Sequence, residues 1–267
     1  DKNTTLDFTC YTTDALEKMR QLWNARHPDC KINTKKPREI WSKLRDYMSD
    51  SCNSEICWIK QNFMKNNLDK EILNYTFAPK SPETWKYNPT EWLSSLDIVN
   101  VMKQYEKKYK CFEFLGPSPI NYDTHILYGD CVWEELCNFN LEKYLRDEKY
   151  KIGVIFNLDP HYKEGSHWVS LFINLRKNKI YFFDSYGEKP DNQILKFIYT
   201  VIKQANHLGM NLEYDFNKKR HQFSNSECGM YSLYFIIENL KDTSIDKLFN
   251  NRISDKRMLE LRKIYFN

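Results

Sequence analysis

Four residues in the second half of the chain supply the side chains that thiol chemistry needs: His167, Asp184, Gln222 and Cys228. A thiolate is the nucleophile, an imidazole takes and returns its proton, a carboxylate fixes the imidazole tautomer, and an amide donates to an oxyanion. Cys228 stands where the loop 217–227 meets Cys228–Leu240, a segment that is apolar nearly all the way round. That pattern predicts a buried helix. The N-terminus of such a helix offers unpaired N–H groups and partial positive charge, which stabilise a thiolate. Gly229 follows directly and leaves the backbone beside the sulfur uncrowded. His167 opens one predicted strand, 167–174, and Asp184 closes the next, 179–184, so a hairpin would bring the two ends together. Gln222 lies six residues before Cys228. With the Cys228 N–H it would form an oxyanion hole, in which one donor is typically worth ~2.7–4 kcal/mol of barrier. Taken singly, each residue has a blander reading: a small core thiol, a rim histidine, a turn-forming aspartate. Jointly they fall where a triad needs them.

The elements that must position these residues are legible from periodicity. Residues 1–80 read as a helical region. Asp14 and Glu17 resemble a capping box ahead of Leu16, Met19, Leu22 and Trp23, and a helix from Pro37 carries Ile40, Trp41, Leu44, Tyr47 and Met48 on one face. A third helix is expected over 55–64. Pro79, Pro82 and Pro89 mark a connector over 78–90, and the region 81–267 is expected to hold the catalytic domain. A helix over 91–108 would carry Trp92, Leu96, Val99 and Met102 on its apolar stripe. Short runs rich in Val, Ile and Phe at Lys151–Asn157, 167–174 and 179–184 predict strands, with 175–178 of hairpin length. A helix at Asn192–His207, a strand at 211–216 and a final helix at Asp255–Tyr265 complete the pattern. Helices first, then strands with helices on their faces, argue an α+β fold.

The composition sets outer bounds. The chain has 267 residues, 41% of them hydrophobic, enough to bury a substantial core. A net charge of +4 is too small to announce a nucleic-acid binder, and no apolar run approaches the ~18–20 residues of a membrane span. The pairs Cys52/Cys57 and Cys131/Cys137 lack the CxxC spacing of zinc knuckles, and neither they nor His27 and Cys30 suggest a metal site. Reduced, mostly buried thiols are the expectation. The basic cluster Lys218-Lys219-Arg220 reads as a solvated loop, with DNA or an acidic substrate as the alternative.

With these residues assembled, the chain resembles the ubiquitin-like-protein protease superfamily, which includes the SUMO-specific proteases and the adenovirus protease. The resemblance rests on His167-Trp168, Asp184 on the next strand, and Gln222 six residues ahead of Cys228-Gly229. The order His, Asp, Cys separates this group from the papain group, in which Cys comes first. Arg220-His221-Gln222, Ser226 to Gly229, Tyr231-Ser232-Leu233 and Arg252 to Asp255, with Met258 and Arg262, are similar to the branch found in large DNA viruses such as African swine fever virus. The resemblance covers roughly residues 90–267. It implies a papain-like core, a central mixed sheet flanked by helices with the cysteine on a buried helix, preceded by an N-terminal helical region. It also implies that Trp168 and Trp92, with Gly229, line a narrow tunnel that admits Gly-Gly. Glu227 stands where the SUMO proteases place Asp, and Ser94-Ser95 where they place Asn-Asp, which puts SUMO recognition in doubt more than catalysis.

The expected reaction is acyl transfer without a cofactor. The expected partner is a protein substrate with a Gly-Gly-like motif, a viral capsid or core precursor, cut by a monomer in host cytoplasm or in the virion. A deSUMOylating or deubiquitinating isopeptidase is the alternative. An acetyltransferase running on the same triad and a binding module with a dead site are the readings from other classes.

Overall fold

The structure is a computed structural model and describes residues 6–52, 54–70, 72 and 77–267. The remaining positions of the predicted helical region lie outside the described residues. The chain divides into two compact units, Asp1–Pro79 and Lys80–Asn267.

In the first unit, helices α1 (Thr13–Arg26), α2 (Pro37–Met48), α3 (Glu55–Lys60) and α4 (Asn62–Lys65) enclose Leu16, Met19, Trp23, Ile40, Leu44, Met48, Trp58 and Met64. Two expectations are corrected here. The cap of α1 is Thr12, whose side chain accepts from the Ala15 N–H, and not Asp14, which lies inside the first turn. The helix expected over 55–64 is broken at Gln61, whose ψ of 136° is extended, so its N–H closes on Trp58 and a new turn begins.

The second unit is built on a mixed sheet. Helix α5 (Ser95–Lys108) precedes strands β1 (Phe112–Phe114) and β2 (Ser118–Pro119), then short helices α6 (Glu134–Cys137) and α7 (Leu141–Arg146). Strands β3 (Lys151–Asn157), β4 (Trp168–Asn174) and β5 (Lys179–Phe183) lead to α8 (Asn192–His207), β6 (Glu213–Phe216), α9 (Cys228–Leu240), α10 (Ile245–Asn250) and α11 (Asp255–Tyr265). The strand order is β1-β3-β4-β5-β6, with β2 also on β3. The pairs β3–β4 and β4–β5 are antiparallel, whereas β1–β3 and β5–β6 are parallel.

Both faces of the sheet are covered, which is why β4 is buried from end to end. The period-2 alternation of a strand then sorts its side chains. Val169, Leu171 and Ile173 join Ile194, Phe197 and Val201 of α8, while Trp168 and Phe172 join Phe235 and Ile236 of α9. At Gly153 in β3 an added Cβ would lie 3.0 Å from the Phe112 ring and 3.3 Å from Ile236, so a side chain there would have to push both aside where β1 and α9 close on that face.

The helix expected from Glu91 starts four residues later, because Ser94 and Asp97 form a reciprocal capping box there. Its buried face is Ile98, Val101 and Met102, whereas Trp92 and Leu96 are exposed, so the expected stripe is displaced. The expectation of reduced, buried thiols also fails. Cys52–Cys57 and Cys131–Cys137 are disulfides, each closing a short local loop, and of the free cysteines Cys10 is exposed and only Cys228 is buried. The donor atoms of His27, Asp29 and Cys30 lie within 4.8 Å of one another at the surface. Among the described residues no helix is long and apolar enough to cross a membrane.

Candidate active site

Cys228 is the first residue of α9 and is 2% exposed. Within the helix the first backbone amide with an acceptor one turn back is that of Tyr231, which bonds to Glu227 O. The Cys228 N–H is therefore one of the open donors of the helix end, beside the positive end of the helix dipole.

The histidine comes from the hairpin. β4 begins at Trp168 and β5 ends at Phe183, one residue inside the predicted limits, so His167 and Asp184 lie just beyond the paired ends. His167 Nε2 donates to Asp184 Oδ1 at 2.7 Å, and both side chains are nearly buried, at 11% and 5% exposure. The other ring nitrogen is left for Cys228, whose side chain lies close enough to the ring to help raise its pKa. Burial lowers the His167 pKa, but the hydrogen bonds to Asp184 and Cys228, helped by their negative charge, outweigh it and raise the value to about 9. The imidazole is thus held as a cation beside the sulfur at neutral pH, which is what a thiolate–imidazolium pair requires.

Asp184 is fixed from two sides. The Tyr186 N–H donates to the same Oδ1 at 2.9 Å. Asn217, fully buried immediately after β6, clamps the Asp184 backbone: its Oδ1 accepts from the Asp184 N–H, and its Nδ2 donates to the carbonyls of Asp184 and Lys219. The parallel pairing of Phe182 with Phe216 puts the two residues side by side.

Gln222 is fully buried, and its amide orientation is set by two neighbours. Ser185 Oγ donates to Oε1 at 2.6 Å, and Nε2 donates to Ser224 O at 2.7 Å. An amide nitrogen has two hydrogens, so one remains for a ligand. The loop itself is tied to the sheet end, since the N–H groups of His221 and Gln222 both donate to Ser185 O.

Next to His167 in the chain, Trp168 Nε1 donates to Leu93 O at 3.0 Å. Leu93 occupies the space a side chain on Gly229 would need, with its Cβ 3.0 Å from that position. The missing side chain of Gly229 thus admits Leu93, rather than opening the backbone beside the sulfur as expected. Trp92, the other expected tunnel residue, is 47% exposed and adjoins Leu93 in the chain. The structure therefore brings His167, Asp184, Cys228 and Gln222 to one place and leaves Trp92 on the surface.

The profile of the Ulp1 protease family, C-terminal catalytic domain, matches residues 137–267. A candidate thiol protease of Acanthamoeba polyphaga mimivirus is 30% identical over 97% of this chain and 89% of its own length. The chain belongs to the Ulp1 protease family. A cysteine protease of African swine fever virus is 25% identical over 89% of this chain and 91% of its own. The crystal structure of a protease of that virus superposes with a TM-score of 0.68 at 24% identity, covering 88% of this chain and 93% of the other, and so shares the fold. The protein is accordingly a cysteine peptidase of the Ulp1 type, a thiol protease like those of the viral relatives, on the mixed sheet flanked by helices that its sequence implied.

Several supporting residues of this Ulp1-type site escaped the sequence reading. Tyr186 stacks on His167 with ring centroids 4.6 Å apart and planes 13° from parallel. The register Ser170↔Phe183, continued three residues past the paired ends, sets His167 opposite Tyr186, so the hairpin pattern held that signal. Ser185 and Asn217 carried none, because a lone polar residue at a strand end reads as a turn former. Glu227 and Arg262 enter through the family resemblance alone; what the sequence does not announce is their buried ion pair, 1% and 4% exposed on the side chains, joining residues 35 positions apart.

Proposed function

We propose that the protein is an endopeptidase in which Cys228 attacks the carbonyl of the last glycine of a Gly-Gly-like motif. His167 gives the thiolate its counter-charge and later protonates the leaving amine. Asp184 orients the ring, while the Gln222 amide and the Cys228 N–H hold the oxyanion. Water then releases the acyl-enzyme. The single observation that carries the catalytic assignment is the bond of His167 Nε2 to Asp184, with Cys228 close enough to the same ring to help raise its pKa.

Glycine preference is supported by the wall beside the sulfur, where Trp168 is tied to Leu93 and Leu93 fills the space over Gly229. Trp92 would complete that wall when substrate is present. The substrates we propose are viral precursor proteins, cut in infected cytoplasm or in the particle. That reading is supported by the viral relatives of known protease name. A second reading, removal of a ubiquitin-like protein, is favoured by one relative from African swine fever virus that is named a SUMO-1 cysteine protease. The test is mass-spectrometric mapping of cleavage sites in a virion-protein extract with the wild type and Cys228→Ala. Fragments ending in Gly-Gly made only by the wild type support the proposal, and identical fragments from both overturn it. Cleavage of a SUMO or ubiquitin amide reporter, with no precursor cleavage, selects the second reading.

A further inference from the structure

We infer that the surface beyond the His167 ring is a leaving-group-side subsite that selects substrates with acidic residues shortly after the scissile bond. The inference rests on the catalytic roles proposed above. A general acid must lie within hydrogen-bond reach of the leaving nitrogen, so whatever flanks the ring away from the Leu93–Trp168 wall borders the departing half of the substrate. That flank is aromatic and cationic. Tyr186 stacks on His167, the guanidinium carbon of Arg220 lies 4.8 Å from the Tyr186 centroid, and it lies 5.0 Å from that of Phe223. Arg252 comes from the loop between α10 and α11 and places its guanidinium 4.3 Å from the same Phe223 ring. Phe223 itself is 57% exposed and directly follows the oxyanion residue Gln222.

These two arginines have no carboxylate partner among the described residues. Arg220 uses only Nε, which donates to Gln222 O, and Arg252 makes neither an ion pair nor a hydrogen bond. The nearby carboxylate, Asp255, is occupied by the N–H groups of Phe223 and Ser224 and by the Tyr231 hydroxyl. Two guanidinium groups held over aromatic rings, with most donors free, form a fork-shaped receptor for carboxylates. A peptide advances ~3.3 Å per residue when extended, which puts Arg220 and Arg252 within reach of roughly the second to fourth residues after the cut.

The experiment compares kcat/KM for three peptides identical up to the scissile bond, whose downstream segments are rich in Asp and Glu, neutral, or rich in Lys. With two exposed pairs each worth ~0.2–1 kcal/mol, the wild type is expected to prefer the acidic over the neutral peptide about fivefold at low salt, and less at high salt. In Arg252→Gln the acidic-to-neutral ratio falls, and in Arg220→Gln/Arg252→Glu it inverts toward the lysine peptide. Because each ratio is internal to one variant, a general loss of activity does not mimic the effect. A ratio near one in the wild type, with Cys228-dependent cleavage of the neutral peptide, overturns this inference and leaves the protease roles standing. No Cys228-dependent cleavage of any peptide would overturn the roles themselves. A ratio near one combined with Arg252-dependent binding of a DNA oligonucleotide would also overturn it, in favour of nucleic acid as the occupant.

Discussion

Arg262 and Glu227 meet through two hydrogen bonds, Nε to Oε2 at 2.9 Å and one terminal nitrogen to Oε1 at 3.0 Å, one residue ahead of the nucleophile. The same terminal nitrogen donates to Glu91 O at 2.8 Å, and the guanidinium lies 4.5 Å from the Trp85 ring. One side chain of α11 thus ties together the start of the cysteine helix and the segment that leads to Trp92 and Leu93. Removing one partner of a buried pair leaves an uncompensated charge and costs about 3–5 kcal/mol. Arg262→Met is expected to lose that much stability in denaturant unfolding, and Glu227→Gln/Arg262→Met to lose less. If the double variant is as unstable as the single one, the charge penalty is not the cause.

The proposed catalytic roles predict unequal losses. Cys228→Ala should abolish turnover, and His167→Ala should come close to doing so. Asp184→Asn keeps the shape but can present its N–H₂ to the ring, favouring the wrong tautomer, so kcat should fall by roughly 10²–10⁴. Circular dichroism of all three should match the wild type, and a folded Asp184→Asn variant with unaltered kcat would remove Asp184 from the mechanism.

The pH profile follows from the raised His167 pKa. The charged ring persists up to about 9, so kcat/KM should hold through neutral pH and fall as pH rises through about 9. The sign is the same for stability: a value raised above the ordinary ~6.5 contributes stability that is complete below ~6.5 and is lost as pH climbs to about 9. In Asp184→Asn the falling limb should shift to lower pH. A wild-type limb near neutrality would contradict a ring held charged by its hydrogen bond to Asp184.

For the oxyanion donor, Gln222→Ala should lower kcat about 10²–10³-fold with little change in KM. Ser185→Ala should produce part of that loss, since it frees the amide to turn while leaving its chemistry present. Steady-state kinetics on one peptide separates the two variants.

Asn217→Ala removes a fully buried amide that bonds both polar backbone groups of Asp184. Each group left unpaired costs about 1–3 kcal/mol. A drop in stability together with a downward shift of the high-pH limb would mark Asn217 as a positioning residue. Lost stability with an unchanged limb would show a structural role only.

Much of this organisation was readable from residue order. Cys228 before an apolar helix, and His167 and Asp184 at the ends of adjacent β-rich runs, carry local signals that survive folding, because a hairpin pairs neighbours in sequence. Residues recruited across the sheet were not readable. Asn217 reaches Asp184 only through the parallel pairing of β6 with β5, and Arg262 reaches Glu227 across 35 residues, distances at which one sequence holds no register information. The sequence reads as a helix from Glu91 because an apolar pattern through Trp92 and Leu96 outweighs the cap written in Ser94 and Asp97, which starts the helix at Ser95. The cysteine pairs read as reduced thiols because a chain this long is not a disulfide-dense mini-protein and their spacing is not that of zinc knuckles, whereas each pair closes a short covalent loop.

The Gln222 amide is aimed before any substrate arrives, by a serine hydroxyl on one end and a serine carbonyl on the other. A site so arranged should favour compounds that become tetrahedral on the sulfur over those that merely fill the cleft. Short glycine-ended aldehydes would therefore be natural starting points for reversible inhibitors, drawing their affinity from a donor that has no reorganisation left to undergo.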